Sequence, residues 1–257
     1  MIVRERKNDF VLIEQDNHAQ VSGSIMAYWR ASLFYGPEFR RSVEYAISQH
    51  DCGWKPFDKQ PFWNDKKQAP YTFIDFPQLS KIALYKQGID EVEENDRYAA
   101  LLCSLHYASF LSYEVSDEAK KFIAQEKQRR DRLIRSLGIS DQSLLHFHYG
   151  LLQLGDNLSL YICLNEPGVT KEKEHPFFRD GIPVSPALSE IKRDRIQLHW
   201  KNKQTITLET FPFNSEITVT IKQKILSKDD IASKGFLESY QKAPFHNVVV
   251  HLIPQNI

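Results

Sequence analysis

The chain is short of the residues that staple a fold or mark a specialised surface. Its three cysteines, Cys52, Cys103 and Cys163, are too few and too scattered for a disulfide framework or a zinc ribbon. Reduced thiols and a cytoplasmic setting are the resulting expectation. Neither sign of charge dominates, since 33 Lys plus Arg balance 33 Asp plus Glu. Proteins that grip nucleic acid usually show a basic excess, so nucleic acid is not an expected partner. No apolar run nears the roughly 20 residues that span a bilayer. At the start, Arg4, Arg6, Lys7 and Asp9 interrupt what a secretory signal would keep apolar. P-loop and Gly-x-Ser-x-Gly patterns are missing, and no internal repeat or low-complexity tract occurs.

What is present suffices for a packed interior. The apolar fraction is 42%, with 16 Phe, 11 Tyr and 4 Trp, in 257 residues that can form one large domain or two modest ones. Residues 2–4 and 10–14 read as two strands around a Lys7-Asn8-Asp9 turn. A helix is expected from Asp16 or Asn17, either of which can cap it, with His18, Ser22, Ile25 and Trp29 on one face. A second follows Pro37, presents Phe39, Val43, Ala46 and Ile47, and ends at His50-Asp51. Residues 54–77 form an aromatic loop punctuated by Pro56, Pro61, Pro70 and Pro77, too apolar to hang free in water and expected to cover the helices or wall a pocket.

Further helices are expected at 78–87, 95–112, 117–137 and 140–164. The cationic helix 117–137 carries Asp117–Lys121, Glu126–Arg130 and Asp131–Arg135 at i,i+4, the pattern of an ordinary solvated helix. Beyond 166 the texture turns to loops and then to strand alternation over 195–225 and Asn247–Ile253. The expected class is α+β: a helical domain over 1–165 and an antiparallel β unit over 166–257. The N-terminal hairpin should join that sheet, because an isolated hairpin is barely stable. The β unit is open to three roles: closing the sheet, roofing a pocket or forming a homodimer.

His18, His50, Asp51, His106 and Asp156 are the candidate metal ligands. Neighbouring side chains on a helix point about 100° apart, so His50 and Asp51 reach one ion only at a helix end or bend, and Gly53 is there to supply one. Asp156 shares a helix face with Tyr149, Leu152, Ser159 and Cys163. A carboxylate on such a face is costly unless paired or liganded. His106 lies on a stripe with Ala99, Leu102, Cys103 and Phe110. His146 and His148 are about 200° apart on one helix and cannot both join the site.

This order of residues resembles the HD superfamily of metal-dependent phosphohydrolases. The segments carrying the resemblance are His18, His50-Asp51-Cys52-Gly53 and Gly155-Asp156-Asn157-Leu158-Ser159, spread over residues 10–165. With its β tail, the chain is also similar to an uncharacterised bacterial family with such a core. The resemblance implies an HD-like helical bundle and a divalent ion on His18, His50, Asp51 and Asp156, with His106 as an added ligand where a second ion is held. Mixed imidazole and carboxylate donors suit Mn, Fe, Ni, Co or Zn. It further implies hydrolysis of a phosphorylated small molecule or nucleotide, with Asp51 catalytic. The family often carries Lys after the Gly; here Trp54 stands there, and Lys55 comes one place later. Lys55 and Arg97, close in sequence to the candidate ligands, are the expected phosphate contacts. A two-iron oxygenase and a non-catalytic metal- or ligand-binding protein are the alternatives.

Overall fold

A computed structural model describes residues 1–255. The chain begins as a hairpin, β1 (Ile2–Glu5) and β2 (Asp9–Ile13). Two helices follow: α1 (Gln15–Met26), then, after two 3-10 turns, α2 (Arg40–Gln49). The aromatic stretch is partly ordered into a 3-10 turn (Cys52–Trp54), a short helix α3 (Lys55–Lys59) and a tiny ribbon of β3 (Trp63–Asn64) and β4 (Ala69–Pro70). Four long helices come next: α4 (Gln78–Asn95), α5 (Arg97–Phe110), α6 (Asp117–Leu137) and α7 (Gln142–Leu164). The C-terminal part holds a small pair, β5 (Ile182–Pro183) and β6 (Arg195–Ile196), then β7 (Leu198–Asn202), β8 (Thr205–Leu208) and the long β9 (Ile217–Ser227). It closes with α8 (Lys228–Lys234), α9 (Phe236–Lys242) and β10 (His246–Pro254).

The class is α+β, as expected, and one sheet runs β1-β2-β9-β10-β8-β7. The N-terminal hairpin does join the C-terminal strands: Asp9 to Leu12 pair with Ser227 to Lys224. The expectation of an antiparallel sheet needs correction. β10 inserts between β9 and β8 and runs parallel to β8, so the sheet is mixed. Strand alternation carries no information about which neighbour a strand takes, which is why the parallel pair was not foreseen.

Other boundaries moved for physical reasons. α1 starts at Gln15 with no side-chain cap; Asn17 instead accepts from the Lys222 amide of β9 at 3.0 Å. Trp29 lies past the end of α1, in a bridge to Phe213. α4 runs a further two turns beyond 87, to Asn95, and Asp96 caps α5 through the Ala99 amide. α6 is capped by Ser116 as expected. Two of its arginines, however, reach across to α4: Arg129 pairs with Asp90 and Glu93 as well as with Glu126 on its own helix, and Arg132 pairs with Glu93. α8 and α9, seven residues each, were not anticipated.

The buried centre lies where α1, α2, α5 and α7 meet. Two glycines set how closely these elements approach. A Cβ on Gly53 would sit 2.1 Å from the Leu84 carbonyl oxygen of α4, and one on Gly155 would sit 2.6 Å from Met26 Cγ and 2.8 Å from Ser22 Oγ of α1. Gly53 is thus required for close packing rather than for the bend; the helix breaks at Asp51, whose φ is −116° and ψ 17°.

Candidate metal centre

His18 comes from the first turn of α1, His50 from the C-terminal cap of α2, Asp51 from the residue after it, and Asp156 from the middle of α7. All four are buried. His18 Nε2 lies 3.1 Å from Asp51 Oδ2, 3.6 Å from Asp156 Oδ1 and 3.2 Å from His50 Nε2. His50 Nε2 lies 3.4 Å from Asp156 Oδ1 and 4.0 Å from Asp51 Oδ2. His106, from α5, brings its Nε2 to 3.8 Å from the other oxygen of Asp156. All five ligands expected from the sequence therefore gather, in two overlapping groups: His18, His50 and Asp51, and His50, His106 and Asp156.

Hydrogen bonds around the centre fix which ring nitrogens face inward. His50 Nδ1 lies 2.7 Å from the Ile47 carbonyl, which only accepts, so Nδ1 carries the proton. Ser159 Oγ donates to the Asp156 carbonyl at 3.0 Å, so it accepts from His18 Nδ1 at 2.7 Å. When both imidazoles are neutral, their Nε2 lone pairs therefore face each other and two carboxylates. Four acceptors at such distances repel unless a cation sits among them. Donors about 2.0–2.2 Å from one ion are about 3–3.6 Å apart, which fits these separations. Metal-bound histidines usually donate their other nitrogen to a carbonyl or hydroxyl in this way.

Electrostatics point the same way. Burial pushes the His50 imidazole down, yet Asp156 and Asp51 outweigh it and raise its pKa to about 9. Burial pushes Asp156 up, yet His50, His106 and His18 outweigh it and hold the carboxyl down at about 2. Asp51 is likewise lowered, against burial, by His18 and His50. The centre demands positive charge, as a proton or as a cation. His106 differs: burial lowers it to about 4, and neither of its nitrogens has a hydrogen-bond partner.

The centre forms the floor of a cavity of about 490 Å³. Trp54 and Phe73 wall it, together with Tyr85, Phe110, Leu160 and, from the C-terminal part, Phe177. The aromatic loop therefore does wall a pocket. Trp54 packs against Phe57, Phe76 and Tyr85. Ten buried side-chain polar atoms have no hydrogen-bond partner among the described residues, and five of these, His106 Nε2 included, lie within ion-pair distance of an opposite group. Of the other five, Gln15 Oε1, His106 Nδ1 and Tyr149 Oη belong to cavity-lining residues.

The two expected phosphate contacts do not reach the cavity. Lys55 turns outward, 3.6 Å from Asp16 and 3.5 Å from Glu91. Arg97 is exposed at the start of α5, nine residues before His106 and so about 13 Å away along the axis. Chain proximity was a poor guide because the 3-10 turn and the helix axis each carry the cation away. The lysine that does line the cavity is Lys81, one helical turn before Tyr85 on α4. Its signal was a Lys at the end of a stripe shared with Tyr85, Gly88 and Val92.

Gln15 and Tyr107 were also missed. Gln15 donates to Asp51 Oδ2 at 2.8 Å and Tyr107 to Oδ1 at 3.3 Å. Gln15 stands three residues before His18, a spacing that puts both on one helix face. Burial pushes the Cys52 thiol up to about 12, and its Sγ rests 3.5 Å from the Gly88 carbonyl. His146 is exposed, and both nitrogens of His148 are bonded away from the centre, to Tyr98 Oη and the Tyr35 carbonyl.

Fold and site together define an α+β protein with a buried His/Asp cluster positioned to bind a metal, at the base of an aromatic cleft. No helix among the described residues is long and apolar enough to cross a membrane. The chain belongs to the family described as "Protein of unknown function (DUF3891)", whose model matches residues 1–228. No curated protein and no solved structure matches it.

Proposed function

We propose that the protein is a metal-dependent hydrolase of phosphorylated small molecules, built on an HD-like helical scaffold and working in the cytoplasm. The observation that carries this reading is the convergence of two imidazole Nε2 atoms, 3.2 Å apart, between two buried carboxylates at the base of a cavity. His18, His50, Asp51 and Asp156 would hold a divalent transition ion, of the kind that mixed imidazole and carboxylate donors favour: Mn, Fe, Ni, Co or Zn. When bound, the ion supplies Lewis acidity at a phosphoryl oxygen and a nucleophile at neutral pH.

The protein's own groups do the rest. Ser159 and the Ile47 carbonyl hold the two imidazoles in the required tautomer. Gln15 and Tyr107 hold Asp51. Asp51, held below its ordinary range and lining the cavity, would take a proton from an attacking water. The water oxygen bonds to phosphorus, the ester P–O bond breaks, and the proton passes to the leaving oxygen. Trp54, Phe73 and Leu160 limit the access of other water. Two-iron oxygen chemistry is less well supported, since it calls for more imidazoles than His106 alone adds, and His146 and His148 face elsewhere.

Elemental analysis of protein purified without chelators tests the metal, and a screen of phosphomonoesters, phosphodiesters and nucleotides with added Mn or Ni tests the reaction. The expected result is a bound transition metal and an ester hydrolysis that Asp51→Ala abolishes. Protein without transition metal, and unchanged by His50→Ala, would sink the reading.

A further inference from the structure

Two features of the cavity bear on what it accepts. The first is its charge. Lys81 is the one Lys or Arg among the lining residues. It is half-buried, its ammonium donates to the Ile74 carbonyl at 2.9 Å, and burial lowers its pKa against the pull of Asp75 and Glu114. Lys81 makes no direct ion pair among the described residues, whereas Lys55 is already matched by two carboxylates. One ammonium suits one phosphoryl group; a triphosphate brings about four charges and calls for several such donors.

The second feature is the mouth. Ile74, Phe110 and Phe177 line the cavity yet remain 49%, 49% and 52% exposed. Large apolar side chains left half in water around a cavity mark a surface that apolar matter covers. Inside them lies Tyr149, its hydroxyl buried beside Ser109 and Gln153.

We infer, building on the hydrolase reading, that the cavity selects a substrate carrying a single phosphoryl group on a flat apolar body, with Lys81 recognising its charge and Ile74, Phe110 and Phe177 gripping the body. Lys81 is then a specificity-determining residue. Polyphosphates and small polar phosphate esters are poor substrates.

The test uses manganese-loaded full-length protein and two readouts. In the first, kcat/KM is compared for 1-naphthyl phosphate, glycerol phosphate and ATP. 1-Naphthyl phosphate should exceed the others by about ten-fold or more, the scale of one charge-assisted contact or one buried ring. Lys81→Ala should raise its KM about ten-fold with kcat and metal content unchanged, and Lys81→Arg should restore it. Phe177→Ala should raise KM for the naphthyl ester but not for glycerol phosphate. The second readout is calorimetric binding of 1-naphthylmethylphosphonate, which cannot be hydrolysed, and Lys81→Ala should weaken it to a similar degree.

Equal use of ATP or glycerol phosphate, or phosphonate binding indifferent to Lys81→Ala, overturns the inference. So does a Phe177→Ala variant that changes the oligomeric state and leaves KM alone, since the apolar mouth would then belong to a second copy of the chain. If no ester is hydrolysed with any metal while phosphonate binding still depends on Lys81 and Phe177, the hydrolase reading falls and the recognition stands.

Discussion

The helix α7 serves two buried histidine clusters eight residues apart, and they are built on opposite plans. Around His148 every nitrogen is satisfied by protein: Nδ1 meets Tyr98 Oη at 2.5 Å and Nε2 the Tyr35 carbonyl at 2.7 Å. Around Asp156 the outer nitrogens of His18 and His50 are satisfied in the same manner, but the inner ones face other acceptors, and His106 makes no hydrogen bond among the described residues. Burial alone therefore does not identify a functional histidine. What separates the clusters is whether the protein completes its own hydrogen bonding.

The comparison can be broken at several points. The largest effect should come from His50→Ala or from chelation, which remove what completes the inner cluster. Bound transition metal should fall from stoichiometric to background. The thermal transition should drop as well, since a ligand at a thousand times its Kd adds about 4 kcal/mol of stability. Ser159→Ala should be next. The His18 ring would lose the acceptor that fixes its tautomer, and metal affinity should fall about 10–100-fold in competition with a chromophoric chelator, with the fold intact. Tyr98→Phe should do the reverse. It leaves His148 Nδ1 buried without a partner, so denaturant unfolding should show a loss of roughly 1–3 kcal/mol while metal content stays unchanged. Should Tyr98→Phe strip the metal, the distinction between the clusters would collapse.

The subtlest difference is in pH. In chelator-treated protein the two carboxylates raise His50 against burial to about 9, above its ordinary 6.5. Its contribution to stability is then fully present below pH 6.5 and is lost as pH rises through about 9. Burial lowers His148 instead, so its contribution is present above 6.5 and is lost as pH falls through its depressed value. Imidazole proton shifts followed by NMR should show the two titrating on opposite sides of 6.5, and adding metal should erase only the alkaline transition. Two titrations on the same side would show that the carboxylates do not govern His50.

The ligands were legible in the sequence because each sits where a polar group needs a reason. Asp156 interrupts an apolar face, His18 and His106 lie on apolar stripes, and His50-Asp51 stands at a helix end. Lys55 and Arg97 were misplaced because nearness along the chain says little after a turn, or across nine residues of helix. Lys81 went unnoticed because a lysine on a long polar helix looks solvated until the neighbouring wall is known. The mixed sheet was hidden for a similar reason: the alternation in β8 and β10 fixes their faces, not their direction relative to each other.

One strand also sets an order of assembly. β9 pairs with β10 through Ile217 to Gln223 and with β2 through Lys224 to Ser227. β2 leads almost directly into α1, which carries His18. Leu12 meets its partner Lys224 only after the chain between them has been made. At ribosomal speeds of about 5–20 residues per second, that is a wait of roughly 10–40 s for the intervening ~210 residues. During this interval the hairpin has an unpaired edge, while α1 already has α2 and α7 to pack against. The sheet partner of the hairpin is thus made long after the helices that carry His18, His50, His106 and Asp156, so edge pairing follows the synthesis of the whole candidate site.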